Sequence, residues 1–297
     1  MKGKNNKIYS FLICVMLLVG LCPISVRADI GPKPSVTVTI DGLEGKTYYA
    51  TLLSDRESTG PATAYPKANA RYYEGKDGYE IWKKFVEYED CDGYFFLQEF
   101  WDLSEKNEFR WGYYPPNPFK ILLYFPEYDA FVTSGVYERY AFDSYYHINL
   151  EHVDLEKESG GILVYAEKSY DYSLELGNLA ARIVITILLE LAVAFVFGLR
   201  AKLQWRVLTA VNVFTQVVLN VWLNIINYNK GQMAFVFYYI LLELLVLAVE
   251  AVIYASVLSR PTLGGTSKRK LISYAVVANV LSFAAGLFIA QYIPGIF

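Results

Sequence analysis

Residues 183–199, IVITILLELAVAFVFGL, hold one ionisable side chain, Glu190, in an otherwise apolar run. A helix needs about 20 such residues to cross the hydrocarbon core of a bilayer, and few water-soluble segments carry so little polarity. Three further runs follow at 207–226, 233–258 and 272–293, separated by short polar loops. The C-terminal part, 178–297, therefore reads as a four-helix transmembrane domain with the lipid bilayer as its first partner.

The loops fix an orientation. The first carries Arg200, Lys202 and Arg206, the third carries Arg260, Lys268, Arg269 and Lys270, and the second, 227–232, has Lys230 alone. Basic loops stay in the cytoplasm, so the first and third connections are expected inside and the second outside, together with everything that precedes residue 178.

Two of the runs share a pattern. Ile187-Leu-Leu-Glu190-Leu-Ala-Val193-Ala-Phe-Val196 matches Ile240-Leu-Leu-Glu243-Leu-Leu-Val246-Leu-Ala-Val249 at seven of ten positions, and Asn212-Val-Phe-Thr215 is echoed by Asn279-Val-Leu-Ser282. The pattern is that of a duplicated helical hairpin related by an axis along the membrane normal. It also places Glu190, Glu243 and Glu250 within apolar runs that contain no Lys or Arg. A carboxylate there costs about 2.5–3.5 kcal/mol on insertion scales unless it is protonated or partnered. Counting residues puts Glu190 at the depth of Glu243, and Glu250 nearer Asn212 and Asn279. Two readings stay open: a path for protons or cations, or hydrogen bonds across helices that fix the packing.

Upstream, the chain is of another kind. Lys2, Lys4 and Lys7, the apolar stretch 8–21 and the ending Val26-Arg27-Ala28 have the order of an export signal, expected to occupy 1–28. From Asp29 to Gly177 there are 27 Asp and Glu against 14 Lys and Arg, an acidic balance that argues against nucleic acid. Once the signal is removed Cys91 is the sole thiol, which excludes an intramolecular disulfide. No Asn-x-Ser/Thr site occurs in 29–177, which favours a bacterial setting.

The segment 29–177 alternates apolar and polar residues at 35–40, with further strands expected at 94–101, 119–125, 136–150 and 161–165, and a short helix at 80–88. Turns such as Asp41-Gly42, Asp92-Gly93 and Gly160-Gly161 divide them. The expected fold class is thus an α+β membrane protein: an extracytoplasmic, Ig-like β-sandwich followed by the four-helix bundle. Trp111, Tyr113 and Tyr114 are candidates for a ligand-binding surface, although strands also bury aromatic residues. Asp90, Asp92, Gly93 and Glu99 match part of a calcium loop, but Tyr88 stands at its first ligand position, so a hairpin turn is the better reading. His147 and His152 sit five apart in a strand and point to opposite faces, so no metal site and no cofactor is expected. No catalytic constellation is legible, and the chain is not read as an enzyme.

The stretches Phe119-Lys-Ile-Leu-Leu-Tyr-Phe-Pro126 and Tyr137-Glu-Arg-Tyr-Ala-Phe-Asp-Ser-Tyr145, with the Glu190 and Glu243 helices and Glu250-Ala-Val-Ile-Tyr254, resemble a family of exported four-helix membrane proteins of Gram-positive bacteria. The resemblance covers nearly the whole mature chain. It implies this architecture and a plasma-membrane location; the family has no assigned activity, so it implies no functional residues. The function expected from the sequence is an envelope sensor or scaffold subunit that works through its extracytoplasmic domain with a membrane partner or as a homo-oligomer. The alternative is a small transporter or permease component that uses the intramembrane carboxylates.

Overall fold

The computed structural model describes residues 31–151, 153, 162–263 and 265–292, so the expected signal segment and His152 lie outside the described residues. The chain divides into a β-rich unit, 32–177 with 224–232, and a helical unit made chiefly of 178–223 and 233–292.

In the β-rich unit the strands are β1 Ser35–Asp41, β2 Tyr49–Ser54, β3 Ser58–Thr59, β4 Ala62–Thr63, β5 Phe95–Phe96, β6 Trp101–Asp102, β7 Glu108–Trp111, β8 Phe119–Phe125, β9 Ala130–Ser134, β10 Asp143–Asn149, β11 Ile162–Val164 and β12 Glu167–Lys168. One sheet has the order β12-β10-β1-β7; a second has the order β11-β9-β8-β2-β5, with β6 also paired to β2. Both are mixed, because β1 runs parallel to β10 and β9 parallel to β11.

The two sheets face each other across one core. Val36, Val38, Ile40, Tyr146 and Ile148 from the first meet Ala50, Leu52, Ile121, Leu123 and Val132 from the second. The outer face of the second sheet is not solvated. Helix α1, Tyr79–Glu87, lays Trp82 and Phe85 over Leu53, Leu122, Tyr124 and Phe96. The result is three layers: sheet, sheet and helix.

These layers explain where sequence patterning misleads. Strand β2 lies in the middle of a sheet covered on both faces, and five of its six residues are buried; such a strand loses the alternation that identifies half-exposed ones. It was not among the expected strands, and neither were β7 and β9. The expected strand 94–101 is instead two short pieces, β5 and β6, parted at Gln98, whose φ is 64°. The expected strand 136–150 begins only at Asp143, because the Ser144 hydroxyl closes a turn on the amides of Tyr140 and Ala141.

The long helices are α2 Tyr172–Val196, α3 Lys202–Lys230, α4 Gln232–Val257 and α5 Lys268–Tyr292, of which the first turns of α2, the last turns of α3 and Gln232 fall in the β-rich unit. The first three, of 25, 29 and 26 residues, are long and apolar enough to cross a membrane. Helix α2 starts well ahead of its apolar run because Asp171 caps it: Oδ1 accepts the Leu174 amide at 2.9 Å. It stops at Gly198, whose φ of 69° suits glycine, as Leu199 N bonds back to Ala194 O at 2.9 Å. Gly231 ends α3 with φ 79°, and a Cβ there would lie 2.5 Å from the ring of Phe142.

Burial in the helical unit is reversed relative to a water-soluble bundle. Helix α2 buries Arg182, Thr186, Glu190 and Ala194, one residue per turn, while Val184, Leu188, Phe195 and Val196 face outward. Helix α3 buries Gln204, Asn212, Thr215, Gln216 and Asn220 and exposes Phe214, Val218, Val221 and Trp222. Leu208, Leu219 and Leu223 are buried as well, so the interior mixes polar and apolar residues beneath an apolar exterior, an arrangement that lipid favours and water does not.

Candidate functional site

Four helices contribute to one polar layer. Glu190 and Glu250 lie six and seven residues before the ends of α2 and α4, roughly 9–10 Å along the axis, and both are fully buried. Asn212 on α3 and Asn279 on α5 are buried with them. Glu250 is held from two sides: Thr215 Oγ1 approaches Oε1 at 2.7 Å and Asn279 Nδ2 donates to Oε2 at 2.8 Å. The Tyr254 hydroxyl donates to Asn212 Oδ1 at 2.6 Å, and the Tyr274 hydroxyl reaches the Glu190 carbonyl at 3.3 Å.

Glu190 is treated differently. Neither of its carboxyl oxygens makes a close, well-aligned hydrogen bond; the one donor that faces them is the Asn212 amide nitrogen, and Asn279 Oδ1 and Gln216 Nε2 are likewise without close partners. A buried polar group left unpaired costs about 1–3 kcal/mol. Glu243, one level away on α4, also has an unpartnered oxygen, and an open, largely apolar groove of about 110 Å³ is lined by Glu243 and Asn279 among Leu247 and the exposed Ile240, Leu244 and Val280.

Two sequence expectations change here. Depth counting pairs Glu190 with Glu243, but measured from the ends of α2 and α4 Glu190 instead shares the level of Glu250, with Asn212 and Asn279 beside them. The interior is also not devoid of cations. Arg182, just outside the run that begins at residue 183, is buried on α2 with its guanidinium 5.8 Å from the Phe235 ring centre. Tyr254 and Tyr274 were overlooked because tyrosines are abundant, and only the contacts of this layer single them out.

The echo between Asn212–Thr215 and Asn279–Ser282 has a structural counterpart. Each hydroxyl lies within hydrogen-bond distance of the carbonyl of its Asn three residues earlier, Thr215 at 3.2 Å and Ser282 at 3.1 Å.

In the β-rich unit, the surface expected of Trp111, Tyr113 and Tyr114 is only partly one. Trp111 is a core residue, 4% exposed, and stacks near Trp101 at 5.4 Å; Tyr113 and Tyr114 are exposed. A concavity of about 970 Å³ lies elsewhere in the unit, lined by Tyr48, Trp101, Phe109, Glu44, Glu105 and Arg110 among others. His147 is bound to Asp41, with Nε2 2.8 Å from Oδ2, and this bond with that from Asn107 holds the Asp41 carboxyl below its ordinary range.

The acidic turn considered for calcium serves a lysine. Lys120 Nζ lies 2.9 Å from both oxygens of Asp90 and 2.5 Å from Asp92 Oδ2, with the Lys120 and Asp90 side chains buried. Burial alone would lower the ammonium, but the bonds to Asp92 and Asp90 outweigh it and hold Lys120 above its ordinary value. Glu99, the distal calcium position, pairs with Arg71.

Comparison of the chain with family models, curated proteins and solved structures gives no match.

Proposed function

We propose that this chain is a multi-pass protein of the bacterial plasma membrane, of the four-helix kind its sequence resembles, in which α2–α5 all span and the polar layer around Glu190 and Glu250 handles protons or small cations as a transporter or permease component. The observation that carries this reading is the pair of fully buried carboxyl groups, one saturated and one without close partners, inside helices whose outer faces are apolar. Packing alone calls for saturated polar groups; a site that exchanges a ligand has open ones.

The proposed topology has the β-rich unit outside, with its sheets read as an Ig-related sandwich whose first and last long strands, β1 and β10, pair in parallel. Its support is twofold. The basic loops flank the opposite helix ends, and 224–232 belongs to the same compact unit as 32–177, as expected if α2 enters and α3 returns on one side.

A second reading, an envelope sensor or scaffold, is favoured by that same turn. Phe142 N donates to Tyr228 O at 2.8 Å, Tyr170 packs 5.3 Å from Tyr228, and a concavity of about 360 Å³ is lined there by Tyr145, Tyr170, Glu175 and Tyr228.

The deciding experiment reconstitutes the full chain in liposomes and follows proton or sodium flux. Glu190→Gln and Glu250→Gln should abolish flux at unchanged membrane abundance. Absence of flux in the wild-type protein, or wild-type flux in both variants, would sink the transport reading.

A further inference from the structure

Lys120, Asp90 and Asp92 make a fuller constellation than an ion pair requires. Lys120 is fixed by its place in β8, paired with Leu53 of the neighbouring strand, and its side chain is 3% exposed. The Asp90 side chain is 0% exposed. Asp90 Oδ2 accepts the backbone amides of Asp92 at 3.0 Å and Tyr94 at 3.2 Å, so one carboxyl oxygen sits in a pair of N–H donors. The other oxygen, Oδ1, receives only Lys120 among the described contacts. Asp92 is 2.5 Å from the same nitrogen but its side chain is 61% exposed, so it can exchange protons with water. The ring of Tyr94 lies over the ammonium at 5.1 Å.

A nucleophile, an electrophilic carbon, a proton carrier and a pair of oxyanion donors are thus held together, and the reactants share a site closed to bulk water. Such pre-positioning supplies the entropy that a bimolecular condensation would otherwise require, and donors aimed at the developing oxyanion stabilise the tetrahedral stage. We propose that Lys120 and Asp90 condense after folding into an intramolecular amide, with Asp92 as the proton carrier. Asp92 relays a proton from the ammonium to Oδ1 of Asp90, and the freed amine adds to Cγ of the carboxylic acid so formed. The negative charge gathers on Oδ2 between the two backbone amides. The bond from Cγ to Oδ1 then breaks and Oδ1 leaves as water, carrying the two protons that nitrogen has lost. Ammonium and carboxylate become one amide and one water, with no oxidant or cofactor.

The link would tie the turn after α1 to β8, across the end of β2, in a unit whose described residues contain Cys91 as their one thiol. It gives that unit a covalent staple that cysteine chemistry cannot.

Peptide mapping of the purified full-length chain, digested under denaturing conditions, tests this directly. The expected result is a branched peptide containing Asp90 and Lys120, lighter by one water than its two linear parts. Recovery of Lys120 only as a free amine overturns the proposal. Asp92→Ala, at an exposed side chain, should fold as wild type while yielding the linear peptides. A branched peptide at wild-type yield in that variant would remove Asp92 from its role.

Discussion

Asn279 on α5 donates its amide to Oε2 of Glu250 on α4 at 2.8 Å, while Thr215 on α3 closes on Oε1. Glu250 therefore joins three helices, and Glu190, at the same level, makes no close bond through its carboxyl. The two acids look alike in sequence but differ in structural weight.

Their substitutions should differ in the same way. Glu250→Ala removes both contacts across helices, while Thr215 and Asn279 keep backbone acceptors in their own helices, so the expected loss is about 0.6–2 kcal/mol. Glu190→Gln, which keeps an acceptor oxygen for the Asn212 amide that faces it, should leave the thermal unfolding midpoint in detergent within a degree or two while altering flux. An equal stability loss in both variants would contradict the asymmetry.

Trp111→Ala should destabilise the β-rich unit by about 3–5 kcal/mol, as truncation of a buried large aromatic does. Tyr113→Ala, at an exposed ring, should stay within about 0.5 kcal/mol. Limited proteolysis of membranes compares the two; equal resistance would place Trp111 outside the core.

Acid should loosen the hold of α1 on the sheet. Asp129 is kept below the usual carboxylate range by Lys84, whose Nζ is 2.6 Å from it, and by the Tyr124 hydroxyl at 2.8 Å. A folded value below the unfolded one contributes stability that is full above the unfolded value of about 3.9 and fades as pH falls through the folded one. Unfolding followed from pH 6 downward should thus lose a contribution that Asp129→Asn lacks from the start. That contribution is small, because the Asp129 side chain is 61% exposed. Asparagine tolerates the left-handed φ of 46° at this position, so the backbone is not the variable.

Cys91 is exposed and offers a native test of sidedness. On intact cells a membrane-impermeant maleimide should label it without lysis. Labelling that requires permeabilisation would put the β-rich unit on the cytoplasmic side.

Length and apolarity in 183–199, 207–226 and 233–258 were enough to mark helices fit to cross a bilayer, because lipid imposes a requirement on composition that no tertiary contact alters. The interior of the helical unit was less legible. An apolar run ends at its first charge, so Arg182 fell outside the segment although its helix begins at Tyr172 and buries it. Sequence similarity aligned Glu190 with Glu243, whereas counting back from the helix ends, which Gly198 sets for α2, puts Glu190 level with Glu250. In the β-rich unit β1 and β8 were readable, but β2 was not, since covering both faces of a sheet erases the alternation on which strand reading rests.

Strand β8 is buried along its whole length, with Phe119, Ile121, Leu123 and Phe125 toward the other sheet and Leu122 and Tyr124 toward α1. Hydrophobicity alone scarcely distinguishes its two faces, and a slip of one residue would still bury greasy side chains on both. Lys120 breaks that degeneracy. Shifted by one place, its ammonium would enter the core between the sheets, away from Asp90 and Asp92, at a cost no apolar contact could offset. The charge that looks least at home in this strand is what tells the chain which way round to assemble it.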